Sequence, residues 1–227
     1  MSEDLTAKLS GKFVVFDGPD GCGKTTQLEI LMARLTKQAP DLKVRRLREP
    51  GGTRIGEEIR KLLLSTDHEN MDVHCEMLLY MASRAQLVAE QIKPALAAGE
   101  CVVSDRFASS TLAYQGGGGG LDLQQILDVA KTAVAASDTS PGIWPHLTVI
   151  FDLDVDVAMA RLHPRQSAGL FADRIEQRAV DYFQRVRENY LWQAKQWPER
   201  YRVVDAGKTI AQVEKQVKST IDDFFKQ

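Results

Sequence analysis

Short apolar runs along this chain alternate with longer stretches whose apolar residues recur every three or four positions. The runs "KFVVFD" at 12–17, "LKVRRL" at 42–47, "CVVSD" at 101–105, "LTVIFDLD" at 147–154 and "RYRVVD" at 200–205 predict five strands. Helical spacing covers 25–38, 54–65, 75–99, 121–136 and 210–225. A further helix starts at 155–162, and a long amphipathic stretch covers 173–197. Strands that alternate with helices make parallel sheets with both faces covered. The predicted fold class is therefore α/β, a five-stranded parallel sheet flanked by helices, as one domain over 1–227.

One segment interrupts this alternation. "AYQGGGGGLD" at 113–122 holds five glycines in a row, between the third and fourth strands. Glycine runs commonly serve as flexible linkers. Two short strands beyond the run cannot form a second sheet domain with its own core. The glycines are therefore expected as a loop inside the one domain.

Composition narrows the partners. Hydrophobic residues make up 44% of the chain, enough for a sizeable core and unlike a disordered segment. Lysine and arginine number 29 against 31 acidic residues, a net charge of −2, so no global basic field exists and bulk nucleic-acid binding is not expected. Any anion must be held by a local cluster. The polar start "MSEDLTAKLSGKF" lacks the apolar stretch of a secretory signal, and no apolar run approaches the ~20 residues of a membrane span. Cys22, Cys75 and Cys101 fit neither a disulfide framework nor a zinc pattern, which points to the cytoplasm.

The first strand runs into "GPDGCGKTT", residues 18–26. Gly18, Gly23, Lys24 and Thr25 match the G-x-x-x-x-G-K-[ST] phosphate cradle in the context it needs, after a strand and opening a helix. Glycines let backbone N–H groups turn around phosphate oxygens, and the helix N-terminus adds partial positive charge. Gly18, Pro19, Asp20, Gly21, Cys22, Gly23, Lys24, Thr25 and Thr26 are the candidate ATP-binding residues. Lys24 can reach the outer phosphates and the Thr25 hydroxyl can ligate Mg²⁺. Cys22 fits the cradle as a small residue; the competing reading is a thiol activated by nearby N–H dipoles and Lys24.

Ligands of open parallel sheets bind beyond the carboxyl ends of the strands. Arg48, Asp105 and Arg106 all follow predicted strands, so they are expected at the same crevice. Tyr80 and Arg84 lie four apart on one helix face, a ring and a guanidinium suited to a base and a phosphate. Arginines around Pro164 and Gly169 suggest a mobile lid at about 163–173, with Arg165 and Arg174 the candidates to meet the transferring phosphoryl group.

"FDGPDGCGKTTQLE", "REPGGT", "LLYMASRAQ", "DRFASSTLAYQGGGGG" and "DRIEQR" together resemble the thymidylate kinase family, over about 12–205. That resemblance implies a P-loop NTPase fold with a short lid, and transfer of the γ-phosphoryl of ATP to dTMP with Mg²⁺. It implies that Arg48, Arg84 and Arg106 clamp the acceptor phosphate, that Tyr80 stacks on the base, and that Tyr114 crowds the 2′ position. Gln115 would help line that pocket, Asp20 would lie near the sugar 3′-OH and the metal, and Asp105 near Mg²⁺. Lys24, Asp20, Arg106, Arg165 and Arg174 would be catalytic. The family is generally homodimeric. The glycines would form a loop beside the nucleoside pocket, and Gly119 stands where the family often has a cation. The alternatives are a kinase of another pyrimidine monophosphate, such as dUMP or UMP, and a non-catalytic nucleotide switch.

Overall fold

A computed structural model of the chain describes residues 5–135, 140–167, 174–175 and 178–226, the side chains of 163–167 excepted. Five strands form one sheet: β1 (Phe13–Asp17), β2 (Val44–Arg48), β3 (Cys101–Asp105), β4 (Leu147–Asp152) and β5 (Tyr201–Asp205). Their order is β2-β3-β1-β4-β5 and every neighbouring pair is parallel. β1 sits at the centre, and the chain leaves it towards β2 on one side and returns to β4 on the other. The cradle therefore opens at the middle of the sheet's carboxyl edge, where ligands of such sheets bind.

Strand β1 shows why the sheet is covered on both faces. Its side chains alternate between two cores. Val14 and Phe16 pack with Leu28, Leu31 and Leu35 of α2 (Lys24–Gln38) and Val213, Val217 and Ile221 of α10 (Ile210–Phe224). Phe13 and Val15 pack on the other side with Leu87, Val88 and Ile92. Those three residues belong to a long helical run: α4 (Val73–Leu87), a π-helical turn (Val88–Ile92) and α5 (Lys93–Ala97). Between β2 and α4 lies α3 (Arg54–Leu64), whose N-cap Thr53 accepts the Gly56 N–H through its side chain. A short α1 (Leu5–Leu9), not anticipated from the pattern, precedes β1.

Three boundaries differ from the expected pattern. After β3, α6 (Ala108–Thr111) passes into a π-helical segment, Leu112–Gly118, before α7 (Leu123–Ala133). Most of the glycine run is therefore helix rather than loop. Helix α8 (Val155–Ser167) runs through Pro164 instead of stopping there. Helix α9 (Val180–Gln196) begins later than the amphipathic pattern indicated, because 174–175 form a turn and Arg178 and Ala179 lie outside the helix. Most of the proposed lid, 168–173, lies outside the described residues.

Packing requires the first four glycines of the run, Gly116 to Gly119, and not Gly120. The π segment lies against α9, and a Cβ on Gly117 would come within 2.5 Å of Asn189 Cβ and 2.9 Å of the Arg185 carbonyl. On Gly118 it would meet the Tyr182 ring at 2.5 Å. Gly117 and Gly118 thus form a smooth strip where two helices touch, and the run is not a linker between domains. Arg185 of α9 donates to the Gly118 carbonyl at 3.0 Å, so a cation sits at the end of this helix although position 119 is glycine.

Candidate active site

The cradle turns tightly because its glycines take left-handed φ values, +76° at Gly21 and +89° at Gly23. A Cβ on Gly18 would lie 2.6 Å from the Phe151 carbonyl, so only glycine lets the loop pass over β4. Lys24 Nζ folds back into the loop and donates to the Gly18 and Pro19 carbonyls at 2.9 Å each. Cys22 is 3% exposed and burial pushes its thiol up, outweighing the opposing charges of Lys24 and Arg106. Burial in the cradle supports the packing reading of Cys22 over the activated-thiol reading.

A cavity of about 440 Å³ opens over the cradle. Asp20, Gly21, Gly23, Lys24, Thr25 and Thr26 line it from the loop, and Arg48, Arg60, Asp105, Arg106 and Arg161 from the other strand ends and helices. One lysine and four arginines thus converge on one space in a chain of net charge −2. Arg48 also donates to Glu57 at 3.0 Å. Arg161, on α8, reaches the Ala206 carbonyl at 3.3 Å, which joins the wall to the loop after β5. Thr25, Asp20 and Asp105 present hydroxyl and carboxylate oxygens to the same cavity, a hard donor set that suits Mg²⁺ in company with phosphate oxygens and water.

A second cavity, of about 110 Å³, adjoins the first. Tyr80, Tyr114, Gln115, Pro50, Leu64 and Ile175 line it, and Asp20, Glu49, Arg60 and Arg106 line both. Tyr80 and Gln115 come together here, as the sequence suggests. Arg84 stands behind the wall. It is 1% exposed, and its guanidinium donates to Glu49 Oε2 at 2.8 Å and to Thr111 Oγ1 at 3.1 Å. It thus holds two lining residues, Glu49 and Thr111, and is itself outside the lining of both cavities. Burial pushes the Glu49 carboxyl up to about 7, further than Arg84 can lower it.

Arg106 is the junction of the site. Its backbone has φ 72°, a left-handed conformation uncommon for a residue with a side chain. Its guanidinium donates to Asp20 Oδ1 at 2.5 Å, Tyr114 Oη at 3.2 Å, Ser110 Oγ at 3.1 Å and the Gly18 carbonyl at 3.2 Å. Strain of this kind persists where the surroundings over-determine it. Behind it, Asp17 is fully buried and accepts from Ser109, Ser110 and Tyr190 at 2.5, 2.7 and 2.6 Å. Tyr114 Oη donates to Asp20 Oδ2 at 2.7 Å. Burial alone would raise the Asp20 carboxyl, but the charges of Arg106 and Lys24 and these hydrogen bonds hold it down at about 2.

The two lid candidates divide. The side chain of Arg165 lies outside the described residues. Arg174 is 5% exposed and turns away from the cradle: Nη2 donates to Glu76 Oε2 at 2.5 Å and Nε to the Leu63 carbonyl at 3.1 Å. Its guanidinium is committed to a buried carboxylate and so is not placed to meet a phosphoryl group. Glu49, Arg60, Glu76 and Asp17 were not singled out from the sequence. Glu49 and Asp17 stand inside recognised motifs beside more conspicuous residues, and Arg60 and Glu76 lie on helices where spacing alone does not mark a site.

A phosphate cradle at the centre of a parallel sheet, joined to a second cavity walled by aromatic and cationic side chains, defines a P-loop nucleotide kinase. The family model described as thymidylate kinase matches residues 16–217. A thymidylate kinase of Pseudomonas entomophila is 43% identical over 209 residues, covering 92% of this chain and 94% of that protein. One of Desulforudis audaxviator is 46% identical over 198 residues, 87% of this chain and 84% of its own length. The crystal structure of thymidylate kinase from Ehrlichia chaffeensis superimposes with a TM-score of 0.73 at 29% identity, covering 93% of this chain and 98% of that one. The chain belongs to the thymidylate kinase family.

Proposed function

We propose that the larger cavity holds the triphosphate of ATP, the smaller one holds dTMP, and the shared wall of Asp20, Glu49, Arg60 and Arg106 is where the phosphoryl group passes. The chain transfers the γ-phosphoryl of ATP to dTMP, giving dTDP and ADP. The sharing of four charged side chains between the cavities supports this assignment most directly. A phosphoryl donor and a phosphorylated acceptor must meet end to end, and both ends are anionic.

Phosphoryl transfer asks for positioning and positive charge rather than covalent chemistry. Lys24 leaves its two loop carbonyls to hold the outer phosphates of the donor. Arg48, Arg60 and Arg106 face the incoming acceptor phosphate. Tyr80 offers a ring face to the base, and Tyr114, tied to Asp20, fills the space beside the sugar. The acceptor oxygen is already anionic, so no strong general base is required. Mg²⁺, held by Thr25 and Asp105 with phosphate oxygens, would add charge neutralisation. Arg165 is the proposed lid residue to supply charge, since Arg174 is engaged with Glu76.

Among the described residues no helix is long and apolar enough to cross a membrane. Cys22, Cys75 and Cys101 are free thiols, which supports a reducing, cytoplasmic setting. The test is a coupled ADP-release assay with ATP·Mg²⁺ against dTMP, dUMP, UMP, CMP, GMP and AMP, and without acceptor. Turnover highest with dTMP is expected. Preference for another monophosphate would overturn the pocket assignment, and acceptor-independent hydrolysis would overturn the kinase mechanism.

A further inference from the structure

Glu76 is a fully buried carboxylate on α4, away from the cradle, with three side-chain donors upon it. Arg174 and Arg178 both donate to Oε2, at 2.5 and 2.6 Å. Gln115 Nε2 donates to Oε1 at 2.7 Å. Burying a charge is costly unless it is paired and hydrogen-bonded, so a cluster of this kind fixes its members tightly or not at all. Two of the positions it fixes touch the acceptor cavity. Gln115 lines that cavity itself. Arg174 is locked to Glu76 and to the Leu63 and Leu64 carbonyls, and its neighbour Ile175 is thereby held in the cavity wall beside Leu64.

The polarity of the Gln115 amide follows from this. A carboxylate only accepts hydrogen bonds, so the end of the amide that meets Glu76 must be the NH₂. The carbonyl Oε1 is then the end left to the cavity, and among the described residues no donor reaches it. An acceptor at that point complements a ring N–H. Thymine and uracil carry a donor at N3; cytosine carries an acceptor there, and the two lone pairs would repel.

We infer that Glu76 is a positioning residue for base selection: it orients the Gln115 amide so that the acceptor site takes pyrimidines with an N3–H donor and rejects cytosine. Glu76 itself touches no substrate. The inference rests on the assignment of the smaller cavity to the acceptor nucleotide.

The test compares kcat/KM for dTMP with kcat/KM for dCMP in the wild type, Glu76→Gln and Gln115→Leu. In Glu76→Gln the side chain at 76 can donate or accept, so the Gln115 amide is free to turn over. The dTMP-to-dCMP ratio should fall by about tenfold or more, since an unpaired or mismatched buried group costs at least that factor. Gln115→Leu should lower the ratio similarly, and the double variant should lower it no further. KM for ATP should stay unchanged. A packing role alone would depress turnover with both nucleotides and leave their ratio intact, and that result in folded Glu76→Gln would overturn the inference. If Glu76→Gln does not fold, an unchanged ratio in Gln115→Leu overturns it instead. Tyr80→Ala separates the two levels: a raised dTMP KM there with unmoved ratios elsewhere means that base selection lies outside Glu76. An unmoved KM for dTMP in Tyr80→Ala, with unmoved ratios in the other variants, means the cavity itself was misassigned.

Discussion

At the scale of single residues, Asp20 and Arg106 form a close ion pair, 2.5 Å apart. The Asp20 carboxyl is held at about 2, below its ordinary 3.8, so its ionised form favours the folded state. That contribution is complete above about pH 4 and disappears as pH falls towards about 2. Urea titrations of wild type and Asp20→Asn should therefore show a stability gap that is widest near about pH 5 and narrows at about pH 3. A gap independent of pH would mean that the carboxylate charge is not what binds the loop to Arg106. Arg106→Ala should cost on the order of 10²–10³ in kcat, by analogy with other preorganised donors, and the loss should appear with saturating ATP. Much of this site could be read from the chain: the cradle residues, Arg48, Asp105, Arg106, Tyr80 and Gln115 all sit in short motifs at strand ends or one helix face. Arg174 could not. A sequence shows an arginine in a motif but not which anion it will face, and the buried Glu76 lies 98 positions away.

At the scale of elements, hydrophobic periodicity located all five strands: the central β1, β3 and β4 are buried on both faces and read as apolar runs, whereas the edge strands β2 and β5 keep exposed arginines between their apolar residues. It failed at the glycines. Periodicity has nothing to measure where side chains are absent, and the reason for glycine here lies on α9, not in the local sequence. A flexible loop and a tight helix contact predict different mutational costs. Gly117→Ala places a Cβ against Asn189 Cβ and the Arg185 carbonyl, neither of which can swing away, and should destabilise by about 1–3 kcal/mol. Gly120 has open space around it and φ +79°, so Gly120→Ala should cost only the left-handed penalty of roughly 1–2 kcal/mol. Thermal unfolding of both variants checks these costs, and an unchanged melting temperature in Gly117→Ala would remove the packing constraint. Replacing Tyr182 tests the same contact from the other side, since Tyr182→Leu removes the ring that Gly118 accommodates and should relieve a Gly118→Ala substitution that is harmful alone.

At the scale of the whole molecule, strand order explains how distant motifs meet. β3 and β1 are neighbours, so Arg106 after one strand lies beside Asp17 and the cradle after the other, although 89 positions separate Arg106 from Asp17. The pattern of strands predicted a parallel sheet but not this order, which depends on crossovers and packing that no local window contains. The outer surface carries a further consequence. Helices α3 and α4 pack together, and Ile55, Leu62 and Leu78 on them are 55%, 45% and 53% exposed. Apolar side chains left out of both cores on adjoining helices suit a partner, and a second copy of the chain fits the homodimer implied by the family resemblance. A stable interface needs about 1,200–2,000 Å² in total, more than these three side chains supply, so the surrounding helix faces must contribute. Sedimentation should give twice the 25.3 kDa chain mass, and Leu62→Glu with Leu78→Glu should return the protein to the monomer mass while leaving both cores folded. A wild-type chain that sediments as a monomer at micromolar concentration, or a doubly charged variant that remains dimeric, would place the contact elsewhere or remove it.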